Sequence, residues 1–192
     1  MTVPNILTIS RIVLVPVLVV LLSMIDPQKG AEDNFNIGMW TMWIFIIGGI
    51  TDLVDGYCAR KLGMVSKLGK FIDPMADKLI CMAVMVMLIP LGRIDAWVVV
   101  VLLFRDIFIT GIRAVAASEG IVIAAAEWGK RKTAWLNVAL SAMILYYPLF
   151  KGTVIELNVF FIANVCLLVG TVYSLASGLM YTFRFFKEVI TR

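Results

Sequence analysis

Acidic side chains are concentrated in a short part of this chain, between positions 51 and 78. The chain has eight aspartates and five glutamates in all. Four of the aspartates lie in this stretch: Asp52, Asp55, Asp73 and Asp77. Apolar runs, 35–50 and 79–91, flank the stretch on both sides. Because charge is costly in apolar surroundings, this concentration indicates chemistry rather than solvation.

The spacing of the four carboxylates predicts two pairs on two helices. Asp52 and Asp55 are three residues apart, and Asp73 and Asp77 are four apart, so each pair shares one helical face. The segment 61–68 can turn the chain between the helices and bring all four together. Such a cluster would repel itself without a cation. Its oxygen ligands suit Mg²⁺, Mn²⁺ or Ca²⁺, and four carboxylates can hold two ions while one group serves as a base.

Other residues on the same faces suit a ligand that carries phosphate. Gly56 and Ala59 follow Asp55 on its face and leave the backbone open to close approach. Arg60 presents a planar fork that matches phosphate oxygens. Gly69 lies on the face of Asp73. The stretch therefore predicts a site for a phosphate-bearing ligand beside the carboxylates.

Composition places these residues in a membrane protein. Of 192 residues, 61% are hydrophobic and 16% are charged, which is too apolar for a soluble domain of this size. We expect a single all-α integral membrane domain, 1–192. Histidine is absent, which removes a histidine-based zinc site and the commonest general base. The net charge of +4 indicates membrane orientation and contact with anionic lipid rather than nucleic acid.

Six transmembrane helices are predicted. The segments 26–36, 92–95 and 120–129 read as loops. The last span contains 27 uncharged residues, which is long enough for a tilted crossing. The spans are 12–25, 37 into the motif helix, 71–91, 96–118, 133–150 and 157–183.

The distribution of lysine and arginine predicts the orientation. The connections 61–70 and 120–132 and the tail 184–192 are basic, whereas the other connections carry one positive charge each, at Lys29, Arg93 and Lys151. Positive residues favour the cytoplasmic side. We therefore expect both termini in the cytoplasm and a multi-pass protein of the inner (cytoplasmic) membrane whose active site faces the cytoplasm.

Cationic residues in the fourth predicted helix and before the fifth are candidates for anion binding. Arg105 and Arg113 share one face with Thr110 between them, and either an anion pocket or pairing of Arg105 and Asp106 with neighbouring helices would explain them. Lys130 and Lys132 lie just before the fifth span, where they are either a topology signal or further anion ligands.

The full motif is Asp52-x2-Asp55-Gly56-x2-Ala59-Arg60-x8-Gly69-x3-Asp73-x3-Asp77. It resembles the signature of the CDP-alcohol phosphotransferases, with all eight fixed positions filled. The resemblance implies a CDP-alcohol phosphotransferase-like helical bundle, a homodimer and two divalent metal ions, Mg²⁺ with Mn²⁺ as an alternative. It implies Asp52, Asp55 and Asp73 as metal ligands and Asp77 as both the base and a shared ligand.

Three further stretches resemble the bacterial members of this family that make phosphatidylglycerophosphate. They are the opening segment with Asn5, Thr8 and Arg11, then Arg105-Asp106-x3-Thr110-x2-Arg113, then Gly129-Lys130-x-Lys132-Thr133. Those enzymes are expected to carry Arg-Glu where this chain has Arg105-Asp106. The resemblance implies transfer of a phosphatidyl group from CDP-diacylglycerol to sn-glycerol 3-phosphate, with release of CMP.

Each substrate is then assigned a set of residues by the same resemblance. The CDP part is assigned to Gly56, Ala59, Arg60, Gly69, Asn5 and Thr8. The phosphate of the acceptor is assigned to Arg105, Arg113, Lys130, Lys132 and Thr110.

Other functions remain open at this point. Cardiolipin synthases and inositol-phosphate enzymes of the same family use other phosphorylated acceptors, and the same cations could serve them. A membrane prenyltransferase would need a second aspartate-rich motif, which this chain lacks. A divalent-cation transporter fits carboxylates in a membrane, but Arg60 beside the cluster disfavours a path for cations.

Overall fold

The described part of the chain is entirely helical. The computed structural model describes the backbone of residues 3–26, 31–62, 67–118, 127–145 and 154–190, and the side chains of 12–26, 32–51, 78–116, 131–145 and 158–187. These ranges contain no strand. The predicted all-α class is confirmed for them. The six helices are α1 (Val3–Ser23), α2 (Ala31–Leu62), α3 (Lys67–Leu88), α4 (Ala96–Ser118), α5 (Glu127–Ile144) and α6 (Val154–Ile190).

Helix α4 has the predicted boundaries, whereas α2 starts earlier than expected, inside the predicted loop 26–36. Asn34 explains the early start. It is buried, its Nδ2 donates to the backbone oxygen of Asp26 at 2.6 Å, and its Oδ1 accepts from the Asp26 amide at 3.1 Å. Glu32 and Asp33 lie in the first turn, where negative charge favours a helix. The polar residues of this segment therefore start a helix.

Helices α5 and α6 also differ from their predicted limits. Helix α5 begins at Glu127 rather than near 133 and ends at Ile144 rather than 150, and Pro148 follows, where helices rarely continue. Helix α6 runs to Ile190, well past the apolar span 157–183. The prediction from apolar runs stopped where charge begins, but lysine, arginine and glutamate are good helix formers.

The turn between α3 and α4 is set by Gly92. Its φ is 66°, a left-handed conformation that glycine adopts without strain. The Gly92 amide donates to the oxygen of Ile89 at 2.9 Å, and the Arg93 amide donates to the oxygen of Leu88 at 3.1 Å. This is the bonding pattern of a Schellman helix end. It confirms the short turn predicted here and reverses the chain so that α4 can return.

Packing joins the helices into two groups that share a core. Helix α1 packs on α3 and α2, and α6 packs on α5 and α4. Helix α5 connects the groups through contacts with α2 and α3. The described core is formed by apolar side chains that are almost completely buried, among them Leu18, Leu22, Val84, Leu88, Leu102, Leu140 and Ile144.

Helices α5 and α6 approach each other closely at Gly170. A Cβ at this position would lie 3.0 Å from both Cγ and Cδ2 of Leu136 and 3.4 Å from its backbone nitrogen. Those distances are shorter than ordinary packing contacts. Glycine therefore allows Leu136, which is buried, to pack directly on the backbone of α6.

The outward faces of the helices carry large apolar side chains. Trp40 on α2, Phe104 on α4 and Phe161 and Phe183 on α6 are each between 67% and 73% exposed. Such a surface is unusual in a soluble monomer. Within the described ranges one helix, the α6 segment Asn158–Lys187, is long and apolar enough to cross a membrane, and shorter apolar helices run from Ile12 to Ser23 and from Lys78 to Leu88.

Candidate active site

The four motif aspartates lie near the junction of two consecutive helices. Asp52 and Asp55 fall near the end of α2, and Asp73 and Asp77 fall in the first half of α3. Only residues 63–66 separate the two helices, and α2 and α3 contact each other. The backbone therefore has the two consecutive helices that the spacing predicted. Side chains 52–77 lie outside the described residues, so the convergence of the carboxylates stays a prediction.

The residues assigned to CDP follow the same helices. Three of them lie on α2 and one on α3, and Asn5 and Thr8 lie on α1. Helix α1 packs on both α2 and α3, so the three helices that carry these residues are neighbours. Their side chains also lie outside the described part, and their contacts with CDP stay predictions. The residues on α2 and α3 are Gly56, Ala59, Arg60 and Gly69.

A polar network is described at the inner side of α4, and Arg105 is its most connected member. Its Nε donates to the backbone oxygen of Ser174 at 2.9 Å, and its Nη2 donates to Ser177 Oγ at 2.5 Å. Its Nη1 donates to Asp106 Oδ1 at 2.8 Å. A Cβ on Gly178 would lie 3.1 Å from Arg105 Nε. Glycine at this point of α6 therefore leaves space for the arginine, which ties α4 to α6.

Asp106 connects this network to α5. The ammonium of Lys132 donates to Asp106 Oδ1 at 2.5 Å and to Oδ2 at 2.6 Å. The two side chains are only 9% and 14% exposed. Because a buried charge needs a partner, the aspartate offsets the burial of both Lys132 and Arg105. In the structure Arg105 and Asp106 pair with neighbouring helices. This is one of the two explanations that the sequence left open.

Helix α3 joins the network through Lys78. The Lys78 ammonium donates to Thr110 Oγ1, and the Thr110 hydroxyl donates in turn to the backbone oxygen of Asp106 at 2.6 Å. Lys78 is half-buried. Asp106, Arg113, Lys132 and Arg105 all act on its ammonium electrostatically. Thr110 therefore holds a cation from α3 against α4.

Arg113 lies one turn further along α4 from Thr110. Its guanidinium carbon is 5.2 Å from the centre of the Tyr181 ring on α6, a distance at which a cation is attracted to an aromatic face. Among the described residues Arg113 forms no ion pair. Within the described part of the chain, the contact with the ring leaves the guanidinium N–H groups available to a ligand.

The described cluster carries a surplus of positive charge. It contains four cationic groups, Lys78, Arg105, Arg113 and Lys132, and one described carboxylate, Asp106, which leaves a net charge of +3. An unbalanced positive charge of this size favours an anion. Binding of the acceptor phosphate by Arg105, Arg113, Lys132 and Thr110 stays a prediction, and Lys130 lies on α5 with its side chain outside the described residues.

Sequence reasoning missed several members of this network. Lys78 could have been found, because it is a charged residue at the edge of an apolar run. Ser177, Gly178 and Tyr181 gave no signal, because small polar and aromatic residues are ordinary in an apolar helix. Their roles follow only from the packing of α6 on α4.

The metal ligands predicted from the sequence all lie in the motif. Among the described side chains no group of three or more histidine, cysteine, aspartate or glutamate residues could hold a metal ion. The ligand set predicted from sequence, Asp52, Asp55, Asp73 and Asp77, consists of carboxylates on two neighbouring helices. Carboxylate oxygens are the donors that Mg²⁺ takes, so these residues fit such an ion.

Comparison with known proteins agrees with the motif. The family model for CDP-alcohol phosphatidyltransferases matches residues 1–176. The chain belongs to the CDP-alcohol phosphatidyltransferase family. The match includes α1 to α5, most of α6 and every motif position. The family resemblance seen in the sequence is therefore confirmed.

Relatives within the family carry closely related names. A Bacillus subtilis protein named CDP-diacylglycerol–glycerol-3-phosphate 3-phosphatidyltransferase is 37% identical over 182 residues, which is 93% of this chain and 92% of the relative. A Rickettsia bellii protein of the same name is 32% identical over 74% of each chain. A Mycobacterium tuberculosis protein named probable phosphatidylglycerophosphate synthase is 35% identical over 73% of this chain and 65% of the relative.

Proposed function

We propose that this protein transfers the phosphatidyl group of CDP-diacylglycerol to sn-glycerol 3-phosphate, giving phosphatidylglycerophosphate and CMP. The observation that carries the proposal is the similarity to the Bacillus subtilis protein of that name, which extends over 93% of the chain. It supports the glycerol phosphate reaction over acceptors such as phosphatidylglycerol or inositol phosphate. The family match makes a prenyltransferase or a cation transporter a poor alternative.

Two divalent ions, Mg²⁺ or Mn²⁺, belong to this proposal. Asp52, Asp55 and Asp73 would hold them, with Asp77 as a shared ligand. The placement of the four carboxylates on adjoining segments of α2 and α3 supports this assignment. When bound, the ions would neutralise the charge that builds on the diphosphate during transfer.

The reaction can be written from the residues of the chain. The Asp77 carboxylate takes the proton of the acceptor hydroxyl. The hydroxyl oxygen forms a bond to the phosphorus attached to diacylglycerol, and the bond from that phosphorus to the bridging oxygen breaks. CMP leaves with the bridging oxygen. The CDP part lies against Gly56, Ala59, Arg60 and Gly69, and against Asn5 and Thr8 of α1.

The phosphate of the acceptor binds to the cationic face of α4 and α5. Arg113 is best placed for direct contact, because its guanidinium rests on Tyr181 and has no described ion pair. Arg105 and Lys132 contribute through their field, since Asp106 already accepts hydrogen bonds from both. Thr110 and Lys130 complete the set proposed for the acceptor.

Membrane insertion is part of the same proposal. All six helices cross the inner membrane, and both termini and the active site face the cytoplasm. The lysine and arginine distribution supports the orientation, and the exposed Trp40, Phe104 and Phe161 support contact with lipid on several helices. A lipid donor and a soluble acceptor would meet at that surface. A homodimer is expected from the family resemblance.

Metal-dependent CMP release tests the reaction class. Purified protein in detergent would be given CDP-diacylglycerol and glycerol 3-phosphate with Mg²⁺, with Mn²⁺ or with a chelator. We expect CMP with either metal and none with the chelator. CMP at the same rate with the chelator would contradict the two-metal assignment. Uptake of divalent cations into vesicles without nucleotide would instead support transport.

A further inference from the structure

Lys78 is the one cation of the described network that the proposed acceptor set omits. It lies on α3 directly after Asp77, at the edge of an apolar run. Its ammonium donates to Thr110 Oγ1. A half-buried lysine whose described hydrogen bond goes to a neutral hydroxyl lacks a full counter-charge.

The surroundings of Lys78 are cationic. Asp106 attracts its ammonium, whereas Arg113, Lys132 and Arg105 repel it. The attraction is weakened because Asp106 lies between Lys132, at 2.5 Å, and Arg105, at 2.8 Å. Bringing Lys78 into this group costs free energy unless an anion joins it.

The four cations differ in the donors they still have. Arg105 has each of its three nitrogens engaged in a described hydrogen bond. Lys132 is buried and bridges both oxygens of Asp106. Lys78 has one described hydrogen bond and three N–H donors. Arg105 and Lys132 are therefore committed to Asp106, whereas Lys78 and Arg113 have no described hydrogen bond to a carboxylate.

We propose that Lys78 binds the phosphate of the acceptor together with Arg113, and that Thr110 holds the Lys78 ammonium in place between turnovers. This inference rests on the proposed function and deepens it. Arg113 lies three residues after Thr110, on the same face of α4. The two cations thus come from two helices, α3 and α4, and would bind the phosphate from both helices.

The pairing of Lys78 with Arg113 also bears on the class of acceptor. Two cations suit the negative charge of a phosphate, whereas an uncharged alcohol would leave them without a counter-ion. The inferred ligand class is therefore a phosphorylated polyol rather than a neutral alcohol.

Steady-state kinetics of Lys78→Gln test the inference. We expect the KM for glycerol 3-phosphate to rise about 10- to 100-fold, because a hydrogen bond to a charged group is lost. The KM for CDP-diacylglycerol should stay within about twofold, since of the two substrates Lys78 contacts the acceptor and not CDP-diacylglycerol. Lys78→Arg keeps the charge and should keep the acceptor KM well below that of Lys78→Gln. Lys187→Gln, which removes the same charge from the exposed end of α6, is the matched control and should resemble the unmodified protein.

Three kinetic results would overturn the inference. An acceptor KM in Lys78→Gln within about twofold of the unmodified protein would remove Lys78 from the pocket. Equal increases in both KM values would place it at the donor instead. Equal acceptor KM values for Lys78→Gln and Lys78→Arg would contradict a role that depends on charge.

A double-mutant cycle tests the link to Thr110. Thr110→Val keeps the size of the side chain and removes the hydroxyl that accepts from Lys78. We expect it to raise the acceptor KM less than Lys78→Gln does, and the double variant to be no worse than Lys78→Gln alone. Additive effects would show that Thr110 acts independently of Lys78 and would contradict the holding role.

Direct binding separates this inference from the proposed reaction. Titration calorimetry of the folded protein in detergent would use glycerol 3-phosphate and, separately, inorganic phosphate. Binding that is weakened at least about tenfold by Lys78→Gln and not by Lys187→Gln supports the inference, even if no CMP is formed. Equal binding by both variants contradicts it, even if the unmodified protein makes phosphatidylglycerophosphate.

Discussion

The Lys132 ammonium bridges the two oxygens of Asp106, at 2.5 Å and 2.6 Å, and so links α5 to α4. Arg105 extends the link to α6 through the Ser174 backbone oxygen. One carboxylate thus lies at the meeting point of three helices. Lys78 brings α3, which carries Asp73 and Asp77, to the same network, so polar contacts join α3, α4, α5 and α6.

Asp106→Asn should destabilise the protein. It leaves Lys132 and Arg105 largely buried with no counter-charge, which costs about 3 kcal/mol or more. For a chain of this size that is a fall of about 6–12 °C in Tm, measured by thermal unfolding in detergent. Asp33→Asn, at an exposed position of α2, is the control and should shift Tm by no more than about 2 °C. Equal Tm values for both variants would show that the ion pairs contribute nothing to stability.

Two glycine substitutions should have opposite effects on stability. Gly170→Ala places a Cβ 3.0 Å from two atoms of Leu136 and should cost about 1–3 kcal/mol. Gly111→Ala meets nothing within 4 Å and should stabilise α4 by about 0.5–1 kcal/mol. The measurement is Tm of each variant. A Gly170→Ala protein as stable as Gly111→Ala would contradict the close approach of α5 and α6.

Much of this architecture could be predicted from apolar patterning. The run from Ala96 to Ser118 gave the limits of α4, and the left-handed glycine at Gly92 agrees with the turn expected there. The start of α2 could not be predicted in this way. It depends on Asn34, whose side chain bonds the preceding loop. Polar residues that cap or clasp a helix look like loop residues in a hydropathy pattern.

The candidate site could likewise be predicted only in part from the sequence. The motif from Asp52 to Asp77 was sufficient to identify the family, because eight fixed positions are spaced by helix geometry. The partners of Arg105 could not be read from sequence. Ser174 and Ser177 are about 70 residues away in the chain, and only tertiary packing brings them to the guanidinium.

Asp73→Asn should abolish catalysis without unfolding the protein. The amide is a poor ligand for Mg²⁺, and near-complete loss of CMP release is expected. Tm without metal should stay within a few degrees of the unmodified protein, since the substitution conserves shape. Asp33→Asn again serves as the control and should keep full turnover. If Asp73→Asn keeps most of its turnover, the two-metal assignment is wrong.

Arg113→Ala should weaken the binding of the acceptor. The KM for glycerol 3-phosphate should rise about 10- to 100-fold with little change for CDP-diacylglycerol. Tyr181→Leu keeps Arg113 but removes the ring beneath it, and should raise the same KM only about two- to fivefold. Arg131→Ala, an exposed arginine of α5, is the control. Equal weakening of both substrates by Arg113→Ala would move Arg113 out of the acceptor pocket.

The most direct test of the proposed reaction is CMP release with a panel of acceptors. Purified protein would receive CDP-diacylglycerol, Mg²⁺ and one acceptor at a time: glycerol 3-phosphate, inositol phosphate, phosphatidylglycerol or serine. We predict turnover with glycerol 3-phosphate alone, and phosphatidylglycerophosphate as the lipid product. Turnover with another acceptor, and none with glycerol 3-phosphate, would contradict the proposed substrate.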